Sequence, residues 1–329
     1  MQLSVPLDST RWDPASPRGH VESWFLKAND PSEPGRALWL KTTLLVPPKG
    51  APGAEIAVWA IVFGPEGHRA AKSSWPIERA ELSRDGLGAT VADCVLEPGR
   101  FRGALDGITW DVTFSSEDEP MFAFPGAWMY EGGFPKSKLY TSTPRSVLGG
   151  RVTVDDRDLP VDGWIGMLGH NWGLFHSPAY HWAQVNLLDE GAIFEGYSGR
   201  IPLGPALSPW LSGGVLRWQG RTLRFNRLTG LPGNHVTVGP GRWSCRLQED
   251  GWRLRWTVEA PQRDFVGLRY VDPDGRENHC LNTKIADCTL RLEERRGGSW
   301  REAAVLRGER CCAYEILTRR HDHGVPILA

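Results

Sequence analysis

The stretch Arg242-Trp243-Ser244-Cys245-Arg246-Leu247-Gln248-Glu249-Asp250-Gly251-Trp252-Arg253-Leu254-Arg255-Trp256-Thr257-Val258-Glu259 decides the fold. Before the turn Glu249-Asp250-Gly251, the residues Trp243, Cys245 and Leu247 alternate with Arg242, Ser244, Arg246 and Gln248. After it, Trp252, Leu254, Trp256 and Val258 alternate with Arg253, Arg255, Thr257 and Glu259. A period of two on both sides of a glycine turn is a β-hairpin with one dry and one wet face, a pattern no helical repeat can use.

Working outward, the same grammar recurs at Val215 to Asn226 around Gln219-Gly220, and at Phe265 to Val271 before Asp272-Pro273-Asp274-Gly275. It continues over Leu281 to Glu294, Trp300 to Leu306 and Cys311 to Leu317, while Pro76 to Leu82 reads as one short helical turn or a strand. The 38 Gly and 25 Pro punctuate the chain into short strands, and 16 Trp predict wide, aromatic-lined interiors. Many antiparallel strands at such spacing predict a mainly β chain with little helix, arranged as a sandwich or closed barrels.

A chain of 329 residues is too long for one ordinary core and suggests two domains. An internal repeat supports this. Glu22-Ser23-Trp24-Phe25-Leu26, Leu38 to Leu45 and Ala57 to Gly64 are followed in the second half by His170-Asn171-Trp172-Gly173-Leu174, His181 to Leu188 and Ala192 to Gly199, in the same order and of similar character. The Ser-, Thr-, Pro- and Gly-rich stretch Tyr140 to Gly150 places the border, giving barrels over 1–148 and 149–329.

A net charge of −1 gives no electrostatic footprint for nucleic acid or an anionic membrane surface. No secretory signal is readable at Met1 to Pro6, and no stretch reaches the roughly 18 apolar residues of a spanning helix, so no integral membrane segment is expected. Six cysteines without CxxC spacing read as reduced, buried thiols of a cytoplasmic protein. Phosphate-cradling glycine loops and a GxSxG elbow are both missing, which leaves nucleotide-dependent and serine-hydrolase chemistry unsupported. His170, His176 and His181 are spaced six and five apart across Gly173 and Pro178, which matches no compact ligand set, so no metal is expected. The tail His321-Asp322-His323 reads as solvent-exposed.

Gly169-His170-Asn171-Trp172-Gly173 packs an imidazole, a carboxamide and an indole between glycines that allow close backbone approach. Two readings of it stay open: a site that aims His170 and Asn171 into a cavity, or a plug in which Trp172 closes a barrel end and the polar pair satisfies nearby carbonyls. Glu22 and Trp24 stand where the second half has His170 and Trp172, making the first barrel a second pocket or a closed structural copy. Glu22 itself, near the chain start, reads as a surface carboxylate.

The His-Asn-Trp-Gly signature, with His181-Trp182-Ala183-Gln184 and Glu195-Gly196-Tyr197 beyond it, resembles the carotenoid hydratase (hydroxyneurosporene synthase) and AttH-like superfamily. Tocopherol cyclases and lipocalin-like Diels-Alderases are similar at greater distance. The resemblance implies two lipocalin-like antiparallel β-barrels in tandem and, in many members, catalysis on isoprenoid or polyketide-like substrates without an organic cofactor. It also implies roles for the His and Trp of His-x-Trp and for a following Tyr-x-Asp. His170, Trp172 and Tyr197 match, whereas the position two after Tyr197 is Gly199. Glu195, two before Tyr197 and on the same strand face, is the substitute acid. Many relatives carry an acid before the His, where this chain has Gly169.

Hydration or cyclisation of an alkene starts with proton delivery to carbon, and a carboxylic acid buried among apolar walls stays protonated near neutral pH. The candidate catalytic residues are therefore His170, Glu195, Tyr197 and Asn171. The candidate substrate-binding residues are Trp172, Trp182, Gln184, Trp24, Glu22 and Trp210. The expected activity is a cofactor-independent hydratase or cyclase acting on a terpenoid-like or polyunsaturated small molecule in a barrel pocket. A non-catalytic carrier of such a ligand is the alternative, and oligomeric state is not legible.

Overall fold

The computed structural model of the protein describes residues 6–227 and 234–329. It is mainly β, with 62% of the chain in strands and 4% in helix. The deciding hairpin pairs Arg242–Glu249 with Trp252–Glu259 across Asp250 and Gly251, whose positive φ angles of 49° and 80° make the tight connection. Its six apolar residues from Trp243 to Val258 that alternate inward are buried, while Trp252 at the turn is half-exposed. Pro76 to Leu82 divides into a 3-10 turn, Ile77–Arg79, and a strand, Ala80–Leu82. Trp300 to Leu306 and Cys311 to Leu317 belong to one 20-residue strand, Ser299–Thr318, paired with Glu277–Arg296 through register shifts.

The first sheet curls into a nearly closed barrel. Its spatial order is Gly67–Pro76, Glu55–Gly64, Ala37–Val46, His20–Asn29, Ile165–Gly173, Ser137–Val154, Ile108–Ser115, Arg100–Leu105, Cys94–Glu97, Ala89–Val91 and Ala80–Leu82. The second sheet runs Arg221–Phe225, Leu211–Trp218, Ile193–Arg200, Ala179–Val185, Ser299–Thr318, Glu277–Arg296, Trp252–Glu259, Arg242–Glu249 and His235–Gly239, with Val266–Val271 beside the start of Glu277–Arg296.

Two readings of the sequence are corrected here. The border at 148/149 falls inside the continuous strand Ser137–Val154, and the chain passes to the second sheet only between Gly173 and Ala179. The Pro- and Gly-rich stretch marks register shifts at Thr141 to Ser146 rather than a linker. Likewise, the His170 segment is no counterpart of the Glu22 segment in another barrel. The two are hydrogen-bonded neighbours, Trp24 opposite His170 and Glu22 opposite Trp172.

Tryptophan fills the barrels instead of lining hollows. Trp24, Phe101, Trp110 and Trp164 pack the first with Leu26, Leu40 and Val58. Phe194, Trp243, Trp256 and Tyr314 pack the second, with Trp243 and Trp256 edge to face at 5.2 Å. All six cysteines are buried and free. Among the described residues no helix is long and apolar enough to cross a membrane.

Between the barrels lies a third cluster, a seam of Phe25, Trp39, Trp59, Met167, Trp182, Leu268 and Tyr270. Three lysines are buried in it. Lys27 donates to Asn29 and Asn186 Oδ1, both at 3.1 Å, and Lys41 to the Tyr270 hydroxyl at 2.9 Å. Burial pulls each of these two ammonium groups down to about 8. Lys284 reaches Glu315 Oε1 at 2.8 Å, and Glu315 also accepts from Asn282 and Tyr180.

Removing one partner of such a pair strands a desolvated charge. Glu315→Ala is expected to lower the unfolding free energy by about 3–5 kcal/mol in urea titration. The double substitution Lys284→Met, Glu315→Leu should regain most of that loss.

Candidate functional site

The register of His20–Asn29 against Ile165–Gly173 brings Glu22 and His170 together at the mouth of the first barrel, both fully buried. The expectation of a surface carboxylate at Glu22 is overturned, because the 6–12 segment folds over it. Glu22 accepts from His170 Nε2 (2.8 Å), His20 Nε2 (2.8 Å), Arg11 N (2.7 Å) and Thr10 Oγ1 (3.0 Å). Burial alone would raise its pKa, but the hydrogen bonds and charge of His170 and His20 win and bring it to about 2.

His170 Nδ1 meets the Leu7 carbonyl oxygen at 2.5 Å. A carboxylate thus faces one ring nitrogen and a carbonyl oxygen the other, which fixes the ring at both ends. Two indoles sandwich it, Trp24 stacked at 4.8 Å and Trp172 tilted at 4.7 Å. Both His170 nitrogens are thus engaged, and Asn171 points elsewhere, accepting from Ser23 Oγ at 2.5 Å. Gly169 is glycine for a visible reason: a Cβ there would lie 2.3 Å from the Phe25 ring.

Glu195 occupies a different compartment. Along Ile193–Arg200, Phe194 enters the second barrel whereas Glu195 and Tyr197 turn out of it, Glu195 against the first sheet. The expected barrel pocket is corrected accordingly: the acid sits between barrels. Trp182 Nε1 donates to Glu195 Oε1 at 3.0 Å, and Thr141 Oγ1, from the first sheet, lies 2.9 and 3.0 Å from its two oxygens. Burial outweighs these hydrogen bonds and raises its pKa to about 7. Indole N–H only donates, so Oε1 is the carbonyl oxygen and the proton sits on Oε2.

Neighbouring residues of Ser137–Val154 connect the two compartments, since Tyr140 packs with Trp172 and Leu7 while Thr141 holds Glu195. An aromatic belt runs the same way. Phe122 meets Tyr140 at 5.5 Å, Tyr130 meets Phe124 at 5.6 Å and Trp172 at 6.2 Å, and Phe124 meets Tyr197 at 5.7 Å. Burial raises the Tyr197 and Tyr130 phenols, so both stay neutral.

The remaining candidates divide between places. Gln184 faces the seam and donates to the Pro144 carbonyl at 3.0 Å. Trp210 lies against His181, which stacks on Trp243 and Tyr314 in the second barrel, on the face of the strand opposite to Trp182. His170, His176 and His181 form no cluster: their partners are Glu22, Asp272 and Tyr314. A cavity of about 410 Å³ opens among Ser244, Arg246, Arg255, Thr257 and Arg291, and another of about 30 Å³ lies by Lys41 and Tyr270; neither is lined by Glu195 or His170.

Sequence reasoning missed Thr141, Tyr130, Tyr140 and Asp8. Asp8 lies close enough to interact with His170, its carboxyl raised by burial against the opposing pull of that ring, and its Oδ1 is enclosed with no hydrogen-bond partner among the described residues. No periodicity marks the 6–12 segment, so only the fold reveals it.

Fold and site together define a tandem β-barrel protein with two buried acids whose pKa values are shifted in opposite directions. No protein-family model matches the chain. It is 25% identical over 286 residues to uncharacterized protein Rv0493c of Mycobacterium tuberculosis, covering 86% of this chain and 83% of that protein. Among solved structures, the AttH-designated NE1406 of Nitrosomonas europaea superposes with TM-score 0.58 at 14% identity, over 97% of this chain and 99% of its own. Kievitone hydratase of Nectria haematococca superposes with TM-score 0.56 at 10% identity, over 96% and 98%. The chain therefore has the tandem lipocalin-like fold of the AttH-like structures that the sequence resemblance implies.

Glu22 supplies a stability test with a defined sign. Its folded pKa lies below the ordinary 4.5, so its contribution is complete above pH 4.5 and is lost as pH falls through about 2. That depression corresponds to about 3 kcal/mol. Thermal unfolding followed over this window should show the slope in the natural chain and a flatter profile in Glu22→Gln.

Proposed function

We propose that the protein is a lyase or isomerase, a hydratase or cyclase of a hydrophobic, polyunsaturated, terpenoid-like molecule, with Glu195 as the proton donor. The observation that carries this reading is a carboxyl group sealed between two barrels with only neutral donors beside it, where burial pushes its pKa up to about 7. The fold likeness to kievitone hydratase agrees with it.

Proton transfer from Glu195 Oε2 to an alkene carbon forms a C–H bond and leaves a carbocation. Such an ion accepts no hydrogen bond, but aromatic faces stabilise it by roughly 0.5–2 kcal/mol each. Trp182, Tyr197, Phe124 and Tyr130 supply those faces. Water addition followed by loss of its proton to the Glu195 carboxylate completes hydration. Attack by a second double bond, followed by proton loss, completes cyclisation. In both, the new carboxylate is held by the Trp182 N–H and the Thr141 hydroxyl. His170 acts differently: fixed by Glu22 and Leu7, it is a positioning residue that sets Trp24 and Trp172.

Glu195 is only 2% exposed, so substrate admission requires its cover to move. That cover is built from short elements, Met121–Phe122 and Trp128–Glu131. Trp128 and Phe134 stack at 6.2 Å on its outer side, 55% and 44% exposed, and offer an apolar landing point for the substrate.

The test is extraction of bound ligand and mass spectrometry of products formed from it and from its unsaturated precursor in heavy water. Hydration adds the mass of water and cyclisation adds none, and each route through Glu195 installs a carbon-bound deuteron. Glu195→Gln should lower kcat by about 10²–10⁴-fold while still binding ligand. Activity of the natural chain should fall as pH rises through about 7, because the donor loses its proton. Wild-type turnover in Glu195→Gln would exclude Glu195 as the donor, and ligand bound but unchanged by the natural chain would make the protein a carrier.

A further inference from the structure

Glu277 and His279 stand two residues apart on one face at the start of Glu277–Arg296, and His279 pairs with Thr318 at the end of the neighbouring strand. The chain leaves that strand through His321 and His323, so a tail read as solvent-exposed returns to the sheet. His321 is exposed, but His323 is half-buried. One ligand atom each from Glu277, His279 and His321 lies within 4.8 Å of the other two. The His321 ring meets the His279 ring edge-on at 4.4 Å, and its nitrogens have no hydrogen-bond partner among the described residues.

A chain of hydrogen bonds fixes the tautomers. The Val325 N–H donates to His323 Nδ1 at 3.1 Å, so the proton of neutral His323 is on Nε2. That Nε2 lies 2.8 Å from His279 Nδ1 and donates to it, which leaves the His279 proton on Nε2, facing Glu277 Oε1 at 3.1 Å. Arg269 Nε grips the other Glu277 oxygen at 2.6 Å and holds Oε1 toward the ring.

We propose that Glu277, His279 and His321 form a binding site for a divalent zinc-class metal ion, with His323 as the partner that orients His279. Ligands about 2.0–2.2 Å from such an ion sit roughly 3.3 Å apart in a tetrahedron. The 3.1 Å gap between His279 Nε2 and Glu277 Oε1 matches that bite, so the ion sits between them while the His279 proton moves to Nδ1. Two imidazoles and one carboxylate leave the fourth position to water on the exposed side. His279 Nδ1–H then donates to His323 Nε2, the outer bond that ligating histidines generally make, as the His323 proton shifts to Nδ1 and gives up its bond from the Val325 N–H.

The ion would clamp the C-terminal tail. Beyond His323 the tail docks on Val266–Val271, with Gly267 N to Pro326 O at 3.0 Å, Leu328 N to Gly267 O at 2.9 Å and Arg269 N to Ala329 O at 2.8 Å. Tyr270 of that strand is a seam residue, so the clamp stabilises one wall of the seam.

Chelator-stripped full-length protein titrated calorimetrically with zinc chloride near pH 7.5 tests the site. One ion per chain is expected, with a higher Tm. His321→Ala, at an exposed position that leaves the fold alone, should abolish binding, and His279→Ala should do the same. His323→Ala should weaken binding about 10–100-fold. Absence of binding at millimolar zinc, or unchanged affinity in His321→Ala, would overturn the assignment.

Discussion

The antiparallel register that sets Trp24 opposite His170 is the constraint on which the rest depends. Successive residues of a strand face opposite sides, so this one alignment sends Trp24, Leu26 and Leu168 into the first barrel and Phe25 and Met167 into the seam. A slip of one residue would exchange the two sets. Glu22 would lose His170, and Lys27 would leave its two amide oxygens for the apolar barrel interior. The large penalty for either buried charge makes the register sharply specified. Asn29 closes the alignment at the far end by donating to the Lys284 carbonyl at 2.7 Å, which ties the first sheet to the second.

That alignment produces two buried glutamates with opposite fates. Glu22 has two imidazoles and two further donors, so it stays ionised despite complete burial. Glu195 has an indole N–H and a hydroxyl, neither charged, and desolvation dominates. The difference comes from partners rather than depth. One fold thus pushes one buried carboxyl toward the anion and the other toward the neutral acid, in neighbouring compartments.

Much of the fold was legible because alternation is a local signal. The 242–259 hairpin, the Gln219-Gly220 turn and the mainly β class follow from period-two patterns and glycine turns. The border failed because Pro and Gly within Tyr140 to Gly150 look alike whether they mark a linker or a bulged long strand. At the site, Glu195, Tyr197 and Trp182 were legible as one cluster through their strand spacing and the family resemblance. Which side of the sheet they face was not, since alternation gives two faces without saying which is the barrel. Glu22 with His170, Thr141 with Glu195, and Asp8 depend on pairings across 148, 54 and more than a hundred residues, and no local pattern carries those.

The abundance of tryptophan also decides where chemistry is feasible. Emptying either barrel to admit a ligand would mean displacing packed aromatics, and losing the packing of one buried Trp costs about 3–5 kcal/mol. The Glu195 strand is packed differently, against short elements: Met121 of a two-residue strand beside Ile193, and Phe124, which rests on Tyr130 of a four-residue helix, beside Tyr197. Its electrostatics suit a recycling acid. Among the described residues no cation lies within ion-pair distance of Glu195, so a carboxylate formed there has only neutral donors. An adjacent lysine or arginine would trap the anion after the first proton transfer, as His170 and His20 trap Glu22. In the proposed reaction, the absence of such a cation would leave the carboxylate basic enough to take back a proton from the cationic intermediate and restore the acid.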